Sequence, residues 1–381
     1  MSENNGIKEP LNKNNKVPKL RFDRFKNDNF NCDILSQIAT LSKGNGLSKD
    51  ELSSNGNKCI LYGELYTRYL GYIDTIISKT KTILSKPKLS KSGDIIMPLS
   101  GETPTDISNS AVVPEDNVIL GGDLLVITPK KNIDPLFLSL YLSNCKKKEI
   151  AKKTCGISII HSHKEDIAKL TINYPSLAEQ YYISNFLREL TKKTDIVLKK
   201  IDILKKYKEG VFRMIQINAS NCIKLGDFCD LYQPKTIAQS LLKINGKYPV
   251  YGANGIIGYY NNYNHETSQV IVGCRGNCGA IQLTNNKSWI NGNAMVIKPL
   301  NNIKLIYLYY LMHTIRFDKI IEKSSVPQIT RDKMKTIKIP ANFDNRILDM
   351  LIFLDKKIEL LQKEVKVLIK IKLQLLNILF I

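Results

Sequence analysis

The sequence lacks the features that mark three common classes of protein: zinc-binding cysteine pairs, membrane-spanning segments and secretion signals. Its 8 cysteines form no C-x-x-C pair and do not recur between the two halves of the chain, as a duplicated zinc site would require. No apolar run approaches the ~18 residues needed to cross a bilayer. The first 17 residues are polar, without the apolar core of a signal peptide. We therefore expect a cytoplasmic protein without metal or membrane contact, beginning with a disordered polar tail over residues 1–16.

The sequence also lacks a recognisable catalytic site. The glycines of YPVYGANGIIG (residues 248–258) match neither the P-loop nor the dinucleotide-binding fingerprint. Asp134-Pro-Leu-Phe137 resembles the D-P-P-F tetrapeptide of amino-methyltransferases, but no glycine-rich cofactor loop precedes it, and a proline there suits the first turn of a helix. Glu364-Val-Lys366 has the E-x-K spacing of a nuclease but lies in a heptad-patterned helix. We expect no catalytic residues, and a self-sufficient methyltransferase or nuclease is the alternative function.

Acidic residues are scarce relative to basic ones. The chain has 35 Asp and Glu against 56 Lys and Arg, which gives a formal net charge of +21. Such an excess attracts polyanions, and nucleic acid is the obvious candidate, although a codon bias toward lysine would give part of the same excess. A chain of 381 residues with 43% apolar residues is long enough for two or three domains with their own cores.

What the sequence does contain is an internal duplication. A heptad seam near the middle of the chain recurs at its end with an offset of 164 residues, and each copy carries a lysine at the same place, Lys208 and Lys372. A period this long excludes a solenoid. The predicted coiled-coil and subunit-interface positions are Ile183, Leu187, Leu190, Val197, Ile201 and Leu204 in the first copy, and Ile347, Leu351, Leu354, Ile358, Leu361, Val365 and Leu368 in the second.

The segments before the two helices match each other as well. GDLLVITP (residues 122–129) and GNAMVIKP (residues 292–299) align at an offset of 170, and Tyr62-Gly63 aligns with Tyr251-Gly252 at an offset of 189. Short apolar runs bounded by turn residues, such as residues 58–63, 93–98 and 124–129, predict strands. Short helices are expected over residues 135–145 and 305–316, so each copy is an α+β unit.

The predicted architecture is therefore two α+β domains separated by two long helices that pair antiparallel, a tandem duplication with pseudo-two-fold symmetry. Ser176 and Glu179 have the spacing of a capping box at the start of the first helix, and Asn342 can cap the second. Phe186, Phe212, Leu360 and Leu376 lie off the seam and are expected to form a surface for partner helices. The predicted boundaries are 17–175 and 218–341 for the α+β domains, and 176–217 and 342–381 for the helices.

The loops at the ends of the predicted strands are rich in side chains that recognise bases and phosphates. Arg275 and Asn277 stand between glycines that let the backbone approach a ligand, and Gln328, Thr330 and Arg331 follow a proline. His161 and His163 near Cys155 could form a metal corner, but we favour polar contacts. The candidate DNA-binding residues are Tyr62, Arg68, Ser100, Glu102, His161, His163, Lys164, Tyr251, Asn254, Arg275, Asn277, Gln328, Thr330 and Arg331.

These residues carry a resemblance to a known family. VPKLRFDRF (residues 17–25), YPVYGANGIIG, VIVGCRG, SVPQITRDKM followed by IKIP, and the PSLAEQ start of the first long helix resemble the specificity subunit of type I restriction-modification systems. The similarity extends over nearly the whole chain in order and spacing. The start of the second helix, Asn342-Phe-Asp-Asn345, departs from the usual L-E-E-Q.

The resemblance implies a non-catalytic subunit. Each α+β domain would be a target recognition domain that reads one half of a bipartite target in double-stranded DNA. The helices would separate the domains and bind modification subunits, two of them expected, and restriction subunits would join that core. The resemblance implies no cofactor in this chain, with S-adenosylmethionine, ATP and Mg²⁺ held by the partners. A coiled-coil adaptor that does not contact DNA is a further alternative.

Overall fold

The apolar runs that predicted strands form strands in the structure, a computed structural model that describes residues 17–69, 71–156, 160–217, 221–300, 303–322, 325–341 and 344–380. The expected disordered tail and the expected cap Asn342 lie outside the described residues. The described residues up to Ile196, with those from Val365 onward, form one compact unit, unit 1, and Val197–Glu364 form unit 2. Each unit therefore contains one α+β domain and part of each long helix.

Unit 1 is built around a five-stranded sheet with the strand order β2-β11-β7-β9-β5 and a four-stranded sheet with the order β10-β4-β6-β3, while β1 pairs with β13 and β8 with β12. Its strands are β1 (Asn31–Ile34), β2 (Ala39–Lys43), β3 (Leu52–Ser53), β4 (Asn57–Ile60), β5 (Gly71–Tyr72), β6 (Lys79–Thr80), β7 (Ile95–Pro98), β8 (Ser100–Gly101), β9 (Ala111–Val112), β10 (Ile119–Leu120), β11 (Leu124–Pro129), β12 (Ile160–His161) and β13 (Thr171–Tyr174). Its helices are α1 (Leu35–Ile38), α2 (Glu64–Thr67), α3 (Pro135–Asn144), α4 (Lys147–Lys152) and α5 (Lys164–Ala168), with 3₁₀ helices at Asp23–Phe25, Lys49–Glu51 and Asp106–Ser108. The first long helix, α6, spans Leu177–Ile217.

Unit 2 repeats this plan with fewer strands. A four-stranded sheet has the order β15-β21-β18-β19, a three-stranded sheet has the order β17-β16-β20, and β14 pairs with β22. The strands are β14 (Cys222–Lys224), β15 (Cys229–Tyr232), β16 (Tyr248–Gly252), β17 (Gly255–Tyr260), β18 (Val270–Gly273), β19 (Ile281–Leu283), β20 (Trp289–Ile290), β21 (Ala294–Pro299) and β22 (Lys338–Pro340). The helices are α7 (Leu225–Phe228), α8 (Leu305–Met312) and α9 (Arg331–Thr336), with 3₁₀ helices at Gln239–Leu241 and Phe317–Lys319. The second long helix, α10, spans Asn345–Leu379.

The helix α3 shows why the D-P-L-F sequence is structural. Asp134 is buried and caps the helix, because its side chain accepts a hydrogen bond from the backbone N–H of Phe137 at 2.8 Å. Pro135 occupies the first helical position, where no N–H is needed. Burial raises the pKa of the Asp134 carboxyl. The tetrapeptide therefore begins a core helix.

The two long helices pair antiparallel within each unit, as expected. In unit 1, Ile183 and Leu187 near the start of α6 share a buried cluster with Leu376 and Leu379 near the end of α10. In unit 2, the end of α6 and the start of α10 share another buried cluster, to which Val211, Phe212, Ile215, Tyr310, Leu348 and Leu351 contribute. All thirteen predicted seam positions are buried or half-buried, which is what the heptad pattern requires.

Two details of the helix prediction are wrong. Glu179 does not close a capping box, because its two carboxylate oxygens accept hydrogen bonds from Arg21, while the Ser176 hydroxyl donates to Asp28 at 3.2 Å. Phe212 and Leu376 are buried and cannot form an outer surface, because α8 and α3 cover the parts of the helices where they lie. Phe186 and Leu360 remain exposed.

Candidate nucleic-acid interface

In unit 1 the candidates Ser100 and His161 lie opposite each other on the antiparallel pair β8–β12. The Ser100 hydroxyl lies 2.9 Å from His161 Nδ1, and the Tyr66 hydroxyl donates to the Ser100 carbonyl oxygen. Burial raises the pKa of Tyr66, so its hydroxyl stays a donor. Ser100 is buried while His161 is exposed. Ser100 therefore orients His161, which corrects the expectation that Ser100 itself contacts DNA.

Cys155 and His163 adjoin the same strand pair. The backbone N–H of Cys155 donates to the carbonyl oxygen of His161 at 2.9 Å, and the Cys155 thiol lies 3.9 Å from His163 Nε2. His163 directly precedes α5, whose first residue is Lys164. Within the described ranges, no group of three or more His, Cys, Asp or Glu side chains could hold a metal ion. The contacts that these histidines make are polar ones.

In unit 2 a similar pairing holds Arg275 beside Gln328. The pairing continues on both sides, because the N–H of Ile329 donates to the Cys274 carbonyl at 2.9 Å and the N–H of Gly276 donates to the Pro327 carbonyl at 3.1 Å. Gly276 has a φ of +78°, a conformation that favours glycine directly beside Arg275. Arg275 and Asn277 are both exposed.

A small polar network orients Gln328. Its side-chain amide donates to Glu322 Oε2 at 3.1 Å, and Lys333 Nζ lies 2.9 Å from Glu322 Oε1. Hydrogen bonds from Lys333 and then Gln328 hold the pKa of the Glu322 carboxyl below its usual value. Thr330 directly precedes α9, and Arg331 is its exposed first residue. This end of unit 2 thus presents two arginines and two amides.

The backbone pairing establishes which candidates are equivalent in the two copies. His161 pairs with Ser100, and Gln328 pairs with Arg275. The next hydrogen bond is also the same in the two copies: the N–H of Ser162 donates to the Leu99 carbonyl oxygen, and the N–H of Ile329 donates to the Cys274 carbonyl oxygen, both at 2.9 Å. Ten of the fourteen candidates thus form five equivalent pairs, and the two members of each pair differ in side chain. The pairs are Ser100 with Arg275, Glu102 with Asn277, His161 with Gln328, His163 with Thr330, and Lys164 with Arg331.

The equivalence assumed for Tyr62 and Tyr251 is wrong by two residues. Ile60 pairs in parallel with Leu120, and Tyr251 pairs in parallel with Ile290. Leu120 and Ile290 each stand two residues before the matched segments GDLLVITP and GNAMVIKP, so these two residues are equivalent. Their strand partners, Ile60 and Tyr251, are therefore equivalent as well. The shared Tyr-Gly dipeptide is a coincidence of composition.

Tyr251 also cannot serve as a DNA contact. Its side chain is 6% exposed and packs with Ile271 and Ile290, and its hydroxyl accepts a hydrogen bond from the N–H of Asn285 at 3.1 Å. Ile60 fills the corresponding place in the core of unit 1. Asn254, in the turn between β16 and β17, is exposed and stays a candidate.

Tyr62 and Arg68 line a cavity of about 840 Å³ in unit 1. Beneath them, the buried carboxylate of Glu64 accepts hydrogen bonds from the Leu61 N–H at 2.9 Å and from the Ser78 hydroxyl at 2.7 Å. Arg68 Nη1 lies 3.7 Å from the same carboxylate. Tyr66 contacts both this cavity and the His161 region. Its ring centroid lies 6.2 Å from that of Tyr62, and its hydroxyl donates to the carbonyl oxygen of Ser100.

One group of basic residues near this region is absent from the sequence-based candidates. The run KKKEIAKK (residues 146–153) forms α4 and its ends, and Cys155 stands two residues after it. The run is conspicuous in the sequence, but its position beside the paired strands depends on the fold.

Comparison with known proteins identifies the family. The family model described as the type I restriction modification DNA specificity domain matches residues 27–206 and again residues 220–370. The chain belongs to this family. The two matched segments contain the two copies that the sequence and the strand pairing define, so the chain carries two DNA specificity domains.

Individual relatives agree with this assignment. A type I restriction enzyme specificity subunit of Haemophilus influenzae is 27% identical over 106 residues, and the specificity subunit of the Escherichia coli type I restriction enzyme EcoprrI is 24% identical over 110 residues. The matched segments span 27% and 29% of this chain and only 28% and 27% of those relatives. The crystal structure of a type I restriction-modification S subunit from M. genitalium has the same fold, with a TM-score of 0.66 at 18% identity, and covers 96% of this chain and 99% of that one. Among the residues described for this specificity-domain protein, no helix is long and apolar enough to cross a membrane.

Proposed function

We propose that the chain is the sequence-specific DNA-recognition subunit of a type I restriction-modification complex. Each specificity domain reads one half of a bipartite target in double-stranded DNA. The observation that carries this proposal is the set of equivalent positions: in four of the five pairs, both copies present exposed or half-buried polar or charged side chains, and these differ between the copies. Arg275 and Gln328 in unit 2 suit guanine and adenine edges, whereas Glu102 in unit 1 suits the amino group of cytosine. Two copies that present different chemistry at the same positions read two different half-sites.

The second part of the proposal is that the long helices bind two modification subunits, which restriction subunits then join. Outside the seam, both helices expose apolar side chains that match at the 164-residue offset of the duplication. Equivalent surfaces bind equivalent partners, so one modification subunit is expected for each copy. The exposed pairs are Ile196 with Leu360, Ile203 with Val367, and Tyr207 with Ile371.

The chain itself is proposed to be non-catalytic. S-adenosylmethionine, ATP and Mg²⁺ belong to the partner subunits, and the complex acts in the cytoplasm, where its DNA is. Lys and Arg contacts to phosphates supply most of the affinity, and each good bidentate base contact discriminates by ~1 to 3 kcal/mol. The purified chain, incubated with labelled S-adenosylmethionine and DNA, is expected to transfer no methyl group and to cleave nothing. Transfer that persists at high purity would favour the enzyme alternative.

The decisive experiment is base-resolved mapping of DNA methylation in cells with and without this gene. A bipartite methylated sequence that disappears with the gene supports the proposal. If methylation is unchanged while the modification subunits are expressed, the DNA-reading function is wrong, and an adaptor function is favoured. An adaptor also predicts that the assembled complex shows no salt-dependent binding to DNA.

A further inference from the structure

Helix α4 and its flanking residues place four lysines without carboxylate partners on the surface of unit 1. Within the described ranges, Lys147, Lys148, Lys152 and Lys153 have no Asp or Glu oxygen within 4.0 Å, whereas the neighbouring Lys146 is paired with Glu149 at 2.8 Å. Lys148 and Lys152 are exposed, and the other two are half-buried. Four unpaired ammonium groups within one short segment create a positive local potential, which attracts an anionic partner.

Contacts on both sides fix α4 beside the candidate DNA-binding residues. Its buried face is anchored by Ile150, which belongs to the main core of unit 1. The helix packs against the 3₁₀ helix Asp106–Ser108, which begins four residues after Glu102. Beyond its other end, Cys155 pairs with His161. The lysines are therefore held next to the segments that carry Glu102 and His161.

The equivalent place in unit 2 carries far less positive charge. There the 3₁₀ helix Phe317–Lys319 replaces α4, and Phe317 is buried in the core as Ile150 is in unit 1. Arg316 is paired with Asp318 at 3.1 Å. Among the described residues of this segment, Lys319 is the one cation that has no ion pair. The two copies thus differ at this position both in shape and in charge.

We infer that α4 contacts the phosphate backbone of double-stranded DNA, and that it gives the first specificity domain a cluster of phosphate contacts at a position where the second domain has a single unpaired lysine. This inference rests on the proposed function. It adds a difference in phosphate contacts between the two specificity domains, which the duplication alone would not suggest. Lysines neutralise phosphates as point charges and carry no sequence information, so they position the domain while His161 and its neighbours read bases. Double-stranded DNA is favoured over other polyanions because the base-recognition candidates adjoin the lysines.

Salt dependence of DNA binding tests the inference directly. The complex of this chain with its modification subunits is titrated with a random-sequence duplex of about 30 base pairs at several KCl concentrations, because each lost phosphate contact lowers the slope of log K against log salt by ~0.9. In one variant Lys147, Lys148, Lys152 and Lys153 are all changed to Gln. In the matched control Lys81, Lys86, Lys88 and Lys91, which lie between β6 and β7 in the same unit, are changed to Gln. Both variants lose the same charge.

The expected result is a slope smaller by roughly 2 to 4 in the α4 variant and by less than about 1 in the control. Methylation mapping of the α4 variant should show the same half-sites as the wild type, because phosphate contacts do not specify sequence. Equal slopes in the two variants, or an altered half-site, would overturn the inference. Failure of the wild-type complex to bind any duplex would instead contradict the proposed function, so the two failures are distinguishable.

Discussion

Lys208 of α6 and Asp355 of α10 form an ion pair in unit 2, with Nζ and Oδ1 2.6 Å apart. The Tyr310 hydroxyl donates to the other carboxylate oxygen, also at 2.6 Å. Lys372 is the counterpart of Lys208 in the second heptad copy, but Thr191 stands where Asp355 would be. The duplicated lysine is therefore paired with a carboxylate in unit 2 and has no such partner at the equivalent place in unit 1.

We predict that Asp355→Ala lowers the free energy of unfolding by ~1 to 3 kcal/mol, because it leaves the Lys208 ammonium and the Tyr310 hydroxyl without their partner. Urea denaturation of the wild type and the variant at neutral pH measures this. In the double variant Lys208→Met/Asp355→Leu no charge is left unpaired. Its loss of stability should therefore be smaller than the sum of the losses in the single variants Lys208→Met and Asp355→Leu. Additive losses would show that the pair is not coupled.

Thr191→Asp is the complementary change in unit 1. Burial lowers the pKa of Lys372, and the nearby Asp195 partly offsets that effect. A second carboxylate at position 191 should favour the charged lysine and raise the urea midpoint slightly, whereas Thr191→Asn should not.

The stability of unit 2 should depend on pH through His313. Burial, together with the smaller effect of the Lys208 charge, lowers the pKa of His313 to about 4, and Asp355 opposes this change. The ring stacks on Phe212 with centroids 5.3 Å apart, so its neutral form is part of the packing. Between the usual pKa of 6.5 and about 4, the unfolded chain binds a proton that the folded chain does not. The free energy of unfolding is therefore expected to fall as the pH decreases through this range.

His313→Phe provides the control, because a phenyl ring can stack on Phe212 and cannot titrate. The urea midpoint of the wild type should fall more than that of His313→Phe between about pH 7.5 and about pH 5. Identical pH dependence in the two proteins would mean that other groups, such as the paired carboxylates, account for the acid sensitivity.

The parts of the fold that local sequence determines were predictable. The heptad spacing alone identified the seam, since a period near 3.5 residues places Leu187 and Leu351 on the packed faces of their helices. Apolar runs ending in turn residues likewise identified β7 and β11. In each case the residues that decide the structure are neighbours in sequence.

The parts that depend on distant pairing were not predictable in the same way. The match of Tyr62 with Tyr251 failed because the register of a parallel strand is set by its partner, and β10 lies some 60 residues after β4. Asp355 is 147 residues from Lys208, so no local pattern indicates their ion pair. The α4 lysines were visible in the sequence, but it is the packing of α4 on Asp106–Ser108 and the pairing of Cys155 with His161 that place them beside the candidate site.

The equivalent positions predict which half-site each variant affects. His161→Ala should change the methylated target only in the half read by the first domain, and Gln328→Ala only in the half read by the second. Arg275→Ala or Arg331→Ala should weaken specific binding by ~1 to 3 kcal/mol if the arginine contacts a base. Methylation mapping and binding assays on the assembled complex measure both effects.

A variant that changes both half-sites, or neither, would contradict the assignment for that residue. Equal weakening on all sequences by Arg275→Ala or Arg331→Ala would instead identify a phosphate contact. Ser100→Ala is an informative companion to His161→Ala, because it removes the hydroxyl that orients His161 and leaves the ring in place. Its effect should have the same direction and be smaller.

The final prediction concerns the long helices as the determinant of spacer length between the half-sites. An insertion near the end of α6 would disrupt folding, because Val211, Phe212 and Ile215 pack there against α8 and α10. We therefore place the change where the chain divides into its two units, after Ile196 in α6 and after Glu364 in α10. One heptad in each helix keeps the seam in phase.

A heptad lengthens each helix by about 10 Å, and base pairs along one strand rise 3.4 Å. If the antiparallel pair sets the separation of the specificity domains, the unspecified spacer should lengthen by about three base pairs while both half-sites stay the same. A heptad inserted in α6 alone is the matched control, and it should abolish activity because the seams of the two helices no longer correspond. Methylation mapping decides the outcome: an unchanged spacer in the active double insertion would show that the helices do not set it, and altered half-sites would show that the recognition residues have been assigned to the wrong segments.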